Sequence, residues 1–136
     1  SLYYQGEWQY GIVRPMQMPK KLPISYESIL DLIVGFEDML HGDIRYRDLN
    51  VPEQHREVTT RIFFFYLSCF HDGKYPTITR QQEDAFAAAF VLMGLGALND
   101  VSIKPDVLMD LYNVSDRRME NALRRILSTM QKEKES

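Results

Sequence analysis

The residue types that most often carry out covalent chemistry stand together near the middle of the chain. Cys69 is followed by His71 and Asp72, which are the nucleophile, the base and the orienting group of a cysteine-based triad. A triad requires its side chains to converge in space, and neighbours at one helix end rarely do so. Cys69 also lies in an aromatic run, where cysteine behaves as a small buried hydrophobe. We therefore expect no catalytic residues and a protein that is not an enzyme.

A second arrangement has the spacing of metal ligands. Asp38 and His41 are three residues apart, and Glu37 and His41 are four apart, so each pair shares one face of a helix. Helical di-iron sites use a Glu-x-x-His pair from each of two helices together with further carboxylates. This chain has one imperfect copy, and a histidine just before Gly42 is also favoured by the negative end of a helix. We expect no metal site.

An arginine-rich segment near the C-terminus carries the most specific pattern, which reads VLMDLYNVSDRRMENALRRI over residues 107–126. Its first part predicts a short helix with an inner apolar side formed by Val107, Leu108 and Leu111. A tight turn follows, because Asn113 tolerates the left-handed backbone that such a turn needs. Ser115 can cap the next helix. That helix is predicted to bury one apolar stripe, formed by Met119, Ala122, Leu123 and Ile126.

This pattern resembles the helix-turn-helix of bacterial and phage DNA-binding proteins, in which a turn residue, an apolar residue and a capping Ser or Thr precede the recognition helix. The resemblance covers about 20 of 136 residues. It departs from the family at Met109, where a small residue is common, and at Ala122, where a larger apolar residue is usual. The resemblance implies that the DNA groove is faced by Asp116, Arg117, Arg118 and Asn121. It implies that phosphates are met by Arg124, Arg125, Lys132 and Lys134.

A plain structural reading of the same segment stays open, because capped helices are common in bundles and arginine-rich helices are often solvated surfaces. Residues 117–134 hold six basic and two acidic residues, whereas the whole chain has a net charge of −3 and a pI near 5.6. Proteins that bind phosphates without sequence preference are usually basic overall. The leading hypothesis is therefore a DNA-binding regulator or replication-associated protein that acts through this local patch, as a dimer because one helix reads only a half-site.

The first 23 residues form a second candidate surface. Aromatic and aliphatic residues alternate with polar ones from Leu2 to Ile12, which predicts an extended strand, and prolines then end regular structure. The residue types enriched at interface hot spots are Tyr3, Tyr4, Trp8 and Tyr10. The alternative hypothesis is a protein-interaction adaptor, inhibitor or assembly factor, viral or bacterial, that binds a protein or itself through this arm. A flap folded over its own bundle is the structural alternative.

Helical spacing predicts the elements that carry these candidates. Ser25 is expected to cap a first helix that ends at Gly42. Pro52 is expected to open a second helix that continues to Phe70, with a buried strand over residues 58–70 as the competing interpretation.

Three further helices complete the predicted bundle. Thr79 and Gln82 form a capping-box pattern before a third helix that is rich in small residues and is expected to run through the middle. Two more helices are predicted at 104–112 and 115–132. The predicted core comprises Ile29, Leu32, Ile33, Phe36, Ile62, Phe65, Phe86, Phe90, Leu111, Met119 and Leu123.

Composition sets the remaining expectations. Of the residues, 45% are hydrophobic and 26% charged, as in ordinary globular domains. A single cysteine excludes an intrachain disulfide and favours a reducing, cytoplasmic setting. The longest nearly apolar run, 85–98, is too short for a bilayer, and Gly94-x-Gly96 lacks the rest of a dinucleotide fingerprint, so neither a membrane nor a cofactor is expected.

Together these patterns predict an all-α fold, a compact bundle of about five helices with an extended aromatic N-terminal arm. The whole chain, 1–136, is expected to be one domain, with the arm at 1–23 and the helical core at 24–136. The helix-turn-helix-like part spans 105–134.

Overall fold

The computed structural model of the chain describes residues 21–135, with side chains described as far as residue 133. This part is mostly helical and contains no strand. Its six α-helices are α1 Ile24–Val34, α2 Phe36–His41, α3 His55–Ser68, α4 Arg80–Ala97, α5 Pro105–Leu111 and α6 Asp116–Glu135. A 3-10 turn, His71–Gly73, lies between α3 and α4. The predicted compact all-α bundle is confirmed, while residues 1–20 of the predicted arm lie outside the described residues.

Helix α4 lies at the centre of the bundle, where it packs against α1, α3, α5 and α6. It begins after the predicted capping residues, and the backbone N–H of Thr79 donates to Gln82 Oε1 at 2.9 Å. Its buried residues include Ala87, Ala88 and Ala89, which are completely buried. Because these side chains are small, neighbouring helices can pack close to the backbone of α4. The predicted central position of this helix is confirmed.

Helix α3 crosses α4 at very short range. A Cβ atom at Gly94 would lie 1.9 Å from Thr59 Oγ1 and 3.1 Å from His55 Nε2. Both of these α3 side chains are buried. Glycine is therefore the residue that admits this approach, because any larger residue would overlap Thr59.

The apolar second half of α3 is a helix, so the competing strand interpretation is wrong. Aromatic contacts join α3 to α4, with Phe63 and Tyr66 edge-on to Phe90 at centroid distances of 5.4 and 5.6 Å. This half of the helix is buried at Ile62, Phe63, Phe65, Tyr66 and Leu67.

The predicted first helix differs from the structure at two places. It starts at Ile24, after Pro23, so Ser25 lies within the helix rather than at its cap. It also breaks at Gly35, which divides it into α1 and α2 and makes six helices rather than five. The hydroxyl of Tyr112 donates to the carbonyl of Leu32 at 2.8 Å, just before the break. Helices kink at glycine and where a side chain bonds to a ladder carbonyl, and both conditions hold here.

The predicted start of the second helix was also misplaced. Pro52 lies before α3 in a turn, in which the N–H of His55 donates to the Pro52 carbonyl at 3.0 Å. The predicted helices at 104–112 and 115–132 correspond closely to α5 and α6. Most of the predicted core is buried; the exceptions are half-buried, namely Leu32, Leu111 and Leu123.

The close approach at Gly94 generates a stability prediction. Gly94→Ala forces a methyl group against Thr59 and should lower the free energy of unfolding by about 1–3 kcal/mol, as overpacking does. Urea unfolding monitored by circular dichroism measures the change. The matched control is Gly35→Ala, where φ is −80°. An added Cβ there would lie 3.2 Å from the Asp31 carbonyl oxygen, against 1.9 Å from Thr59 Oγ1 at Gly94, so the change should stay within about 1 kcal/mol. Equal losses for the two variants would show that α3 and α4 are not in tight contact.

Candidate functional site

The turn between α5 and α6 has the backbone that the sequence predicts. Asn113 adopts a left-handed conformation with φ 53°. The N–H of Val114 then reaches back to the carbonyl of Met109 at 2.9 Å, which satisfies one of the last carbonyls of α5. Val114 is buried, so the chain is anchored where it reverses into α6.

Ser115 caps α6 as predicted. Its Oγ accepts the backbone N–H of Arg118 at 3.2 Å, which satisfies one of the free donors of the first turn. The cap fixes the start of α6 and therefore the direction in which its first side chains leave the helix.

The buried stripe of α6 faces the centre of the bundle. It consists of Met119, Ala122, Ile126 and Met130, at the spacing of one helix face. These residues pack where α6 meets α4 and, more lightly, α3. The side of α6 turned to solvent exposes Arg117, Arg118, Asn121, Arg124 and Lys132.

Arg117 and Arg118 are exposed at the start of this surface. Within the described residues, neither guanidinium group forms an ion pair or a hydrogen bond with another side chain. Their positive charges are therefore not neutralised by a described carboxylate, which is the condition for binding an anionic partner.

Arg124 is exposed but paired. Its Nη2 lies 2.6 Å from Glu120 Oε1, one turn earlier on α6, and the side chains are 70% and 57% exposed. Exposed ion pairs of this kind are weak, because water and salt screen them. A phosphate can therefore compete with Glu120 for the Arg124 guanidinium group.

Arg125 lies in a different environment from the other arginines. Its guanidinium carbon lies 5.0 Å from the centre of the Phe86 ring on α4, and the side chain is half-buried. Burial raises the pKa of the nearby Tyr66 hydroxyl to about 12, against the opposing charge of Arg125. The predicted phosphate contact at Arg125 thus falls on a residue that contacts the protein's own aromatic core. The Lys134 side chain lies outside the described residues.

The packing of α5 differs from the compact pair that the helix-turn-helix resemblance implies. Helix α5 makes its main contacts with α4, and it touches α6 less. Met109 and Ala122 are the two positions at which the sequence differs from the helix-turn-helix pattern. The turn, the cap and the exposed arginines of the resemblance are present, whereas the tight packing of the two helices against each other is not.

A surface network that the sequence analysis missed joins the loop after α2 to α5. Arg45 Nη1 and the Tyr46 hydroxyl both lie 2.5 Å from Asp110 Oδ2. Arg45 also pairs with Asp43, and the hydrogen bonds from Arg45 lower the pKa of Asp43 to about 2. The loop that carries these residues has no helical periodicity, and the nearest signal was the Asp-x-Arg turn pattern. Asp110 therefore interacts with this loop rather than with an α6 arginine.

The other candidate groups are not brought together in the described residues. The Cys69 thiol donates to the Phe65 carbonyl at 3.4 Å, and His71 is exposed. His41 Nε2 lies 3.0 Å from the Leu49 carbonyl. Residues 21–133 contain no group of three or more His, Cys, Asp or Glu side chains that could hold a metal ion.

Two further expectations concern the membrane and the arm. None of the described helices is both long and apolar enough to cross a bilayer. The predicted arm contacts lie outside the described residues, namely Tyr3, Tyr4, Trp8 and Tyr10.

Comparisons with protein-family models, curated proteins and solved structures found no match to this chain.

The contrast between the neighbouring arginines generates a second prediction. Arg125→Ala removes a cation–π contact and the packing of the side-chain stem, so the free energy of unfolding should fall by about 1 kcal/mol or more. Arg124→Ala removes only an exposed pair and should change it by less than about 0.5 kcal/mol. Urea unfolding of the two variants makes the comparison. An Arg125→Ala protein as stable as Arg124→Ala would contradict the stacking on Phe86.

Proposed function

We propose that this protein is a non-enzymatic DNA-binding regulator or replication-associated factor that binds duplex DNA through the exposed side of α6. The observation that carries the proposal is the pair Arg117 and Arg118, exposed in the first turn of α6 without a carboxylate partner among the described residues. Positive groups at a helix start add to the positive end of the helix dipole, and both attract phosphate.

The length of the exposed side suits contact with a nucleic-acid backbone. Arg117 and Lys132 are separated by about 22 Å along the helix at the usual rise per residue. Arg124 lies between them. Because the whole chain is acidic, attraction to DNA must come from this local surface, and repulsion elsewhere orients the protein with α6 towards the duplex.

We infer that the first turns of α6 determine which DNA sequence the protein prefers. Arg117 and Asn121 are four residues apart and share one exposed side. Arginine pairs bidentately with guanine and asparagine with adenine in the major groove. One α6 reads only a short half-site, so we infer that the protein binds as a dimer.

The DNA proposal predicts a charge-specific loss of binding. The double variant Arg117→Ala/Arg118→Ala should weaken binding to a labelled duplex by about tenfold or more in fluorescence anisotropy. It should also lower the slope of log affinity against log salt by about two, since two phosphate contacts are lost.

The matched control removes the same charge from another surface. Arg47→Ala/Arg56→Ala changes two exposed arginines outside α6 and should weaken binding by less than about threefold, because only the long-range attraction changes. Equal losses in both double variants, or no duplex binding by the unmodified protein at low salt, would remove the proposal.

The second candidate is a protein-interaction adaptor, inhibitor or assembly factor that acts through the N-terminal arm. It is favoured by Ile24, which follows the arm directly and is 80% exposed, because exposed apolar surface marks contact sites. The arm contacts proposed for it are Tyr3, Tyr4, Trp8 and Tyr10.

Deletion of residues 1–14 tests this second candidate. Self-association measured by analytical ultracentrifugation should be lost, while the helical circular-dichroism signal of the bundle is retained. The matched control replaces Arg14 and Lys20 by alanine in the full chain, which removes charge but keeps the aromatic side chains. Association that survives the deletion would exclude the arm as the interface.

A further inference from the structure

A buried histidine lies at the contact between α3 and α4. His55 is the first residue of α3 and is only 2% exposed. Its Nε2 lies 3.1 Å from the carbonyl oxygen of Val91 on α4 and 3.1 Å from Thr59 Oγ1. The imidazole ring also packs against Phe36 of α2, with centroids 5.3 Å apart. One titratable side chain thus joins three helices.

The partners of the ring define its protonation state. A carbonyl oxygen can only accept, so Nε2 carries the hydrogen that is donated to Val91. In the neutral ring Nδ1 is then the nitrogen without a hydrogen, and a second proton must be added there. That proton creates a cation at the first residue of a helix, where the helix dipole disfavours positive charge.

The charged groups around the ring only partly offset the cost of placing a positive charge at His55. Glu37 of α2 and Asp100, which follows α4, both favour the protonated ring, and so does the hydrogen bond to Val91. Removal of the ring from water is the largest effect and opposes them, so the pKa of His55 is lowered from its ordinary value of 6.5. The contact between α3 and α4 therefore favours the neutral ring.

We propose that His55 is an acid-sensitive latch, whose protonation releases the first turn of α3 and the segment before it from α4. The ring takes up a proton from solvent at Nδ1, and the imidazolium becomes hydrated when the segment opens. Because Nε2–H is the link to Val91, opening breaks the hydrogen bond that joins the start of α3 to the centre of the bundle.

Apart from His55, the first turn of α3 and the segment before it are held by half-buried side chains such as Val51 and Val58, so the opening is local. The residues just before His55, Glu53 and Gln54, are exposed, and so are Arg56 and Glu57 after it. Segments with few buried contacts open at a lower free-energy cost than the core. The second half of α3 is buried by its aromatic side chains and remains in place.

The direction of the pH effect follows from the lowered pKa. The unfolded or opened segment binds a proton below about pH 6.5, whereas the closed segment does not until a lower pH. The latch is therefore fully closed above this value. As the pH falls through the window below it, the equilibrium constant for opening should rise by up to about tenfold per pH unit, until the closed form also binds the proton.

Hydrogen–deuterium exchange between pH 7.5 and 5 tests the latch on the whole chain. After correction for intrinsic exchange rates, amide protection at residues 55–60 should fall by up to about tenfold per pH unit below about pH 6.5. Residues 119–126 of α6 are the internal reference and should show a much smaller change.

Two variants separate the effect of His55 from that of His71. His55→Gln keeps an N–H donor for Val91 but does not titrate, so the pH dependence at residues 55–60 should disappear. His71→Gln, in an exposed position, should leave it unchanged. NMR titration of the His55 imidazole in the unmodified protein is the second readout, with its midpoint expected below the ordinary histidine value of 6.5.

Either of two results would overturn the latch: a His55 midpoint at or above the ordinary value of 6.5, or acid-induced exchange at residues 55–60 that persists in His55→Gln. Both readouts are made without nucleic acid, so they are independent of the proposed DNA binding.

Discussion

The approach of α3 to α4 at Gly94 is the contact on which the rest of the bundle depends. The missing side chain at Gly94 lets Thr59 and His55 reach the backbone of α4, where the Val91 carbonyl takes up the imidazole N–H. A buried polar pair is costly unless its groups are bonded, and no buried side-chain nitrogen or oxygen in the described residues lacks a partner. The two helices therefore have one favourable register, and α1, α5 and α6 are positioned against α4.

The position of α6 follows from this arrangement. The Arg125 guanidinium group lies over the ring of Phe86 on α4. The buried stripe of α6, from Met119 to Met130, faces the centre of the bundle. Once that stripe faces inwards, helical geometry turns Arg117 and Asn121 outwards. The surface that we propose for DNA is thus a consequence of how α6 packs.

The local signals in the sequence were sufficient for the start of α4 and the turn into α6, whereas Ser25 and Pro52 misplaced the starts of α1 and α3. Thr79 with Gln82, Asn113 and Ser115 each act through neighbours within four residues, and each has its predicted role in the structure. Helical periodicity also identified most of the core, because burial on one helix face repeats along the chain.

The features that sequence analysis missed depend on residues far apart in the chain. The break at Gly35 is accompanied by a bond from Tyr112, and Asp110 is held by Arg45 and Tyr46. Arg125 was predicted to meet phosphate because nothing near it in sequence indicates Phe86. These contacts depend on helix crossings that periodicity does not specify.

The central claim is that the solvent-facing side of α6 is where DNA binds, and mapping by NMR tests it most directly. A short duplex is added to isotope-labelled protein at low salt, and backbone amide shifts are followed. The account predicts that the largest shifts occur at residues 113–128, and that α1 and α2, whose exposed side chains include Glu27, Asp31, Glu37 and Asp38, are unaffected. Shifts centred on α1 and α2, or none at all, would contradict it.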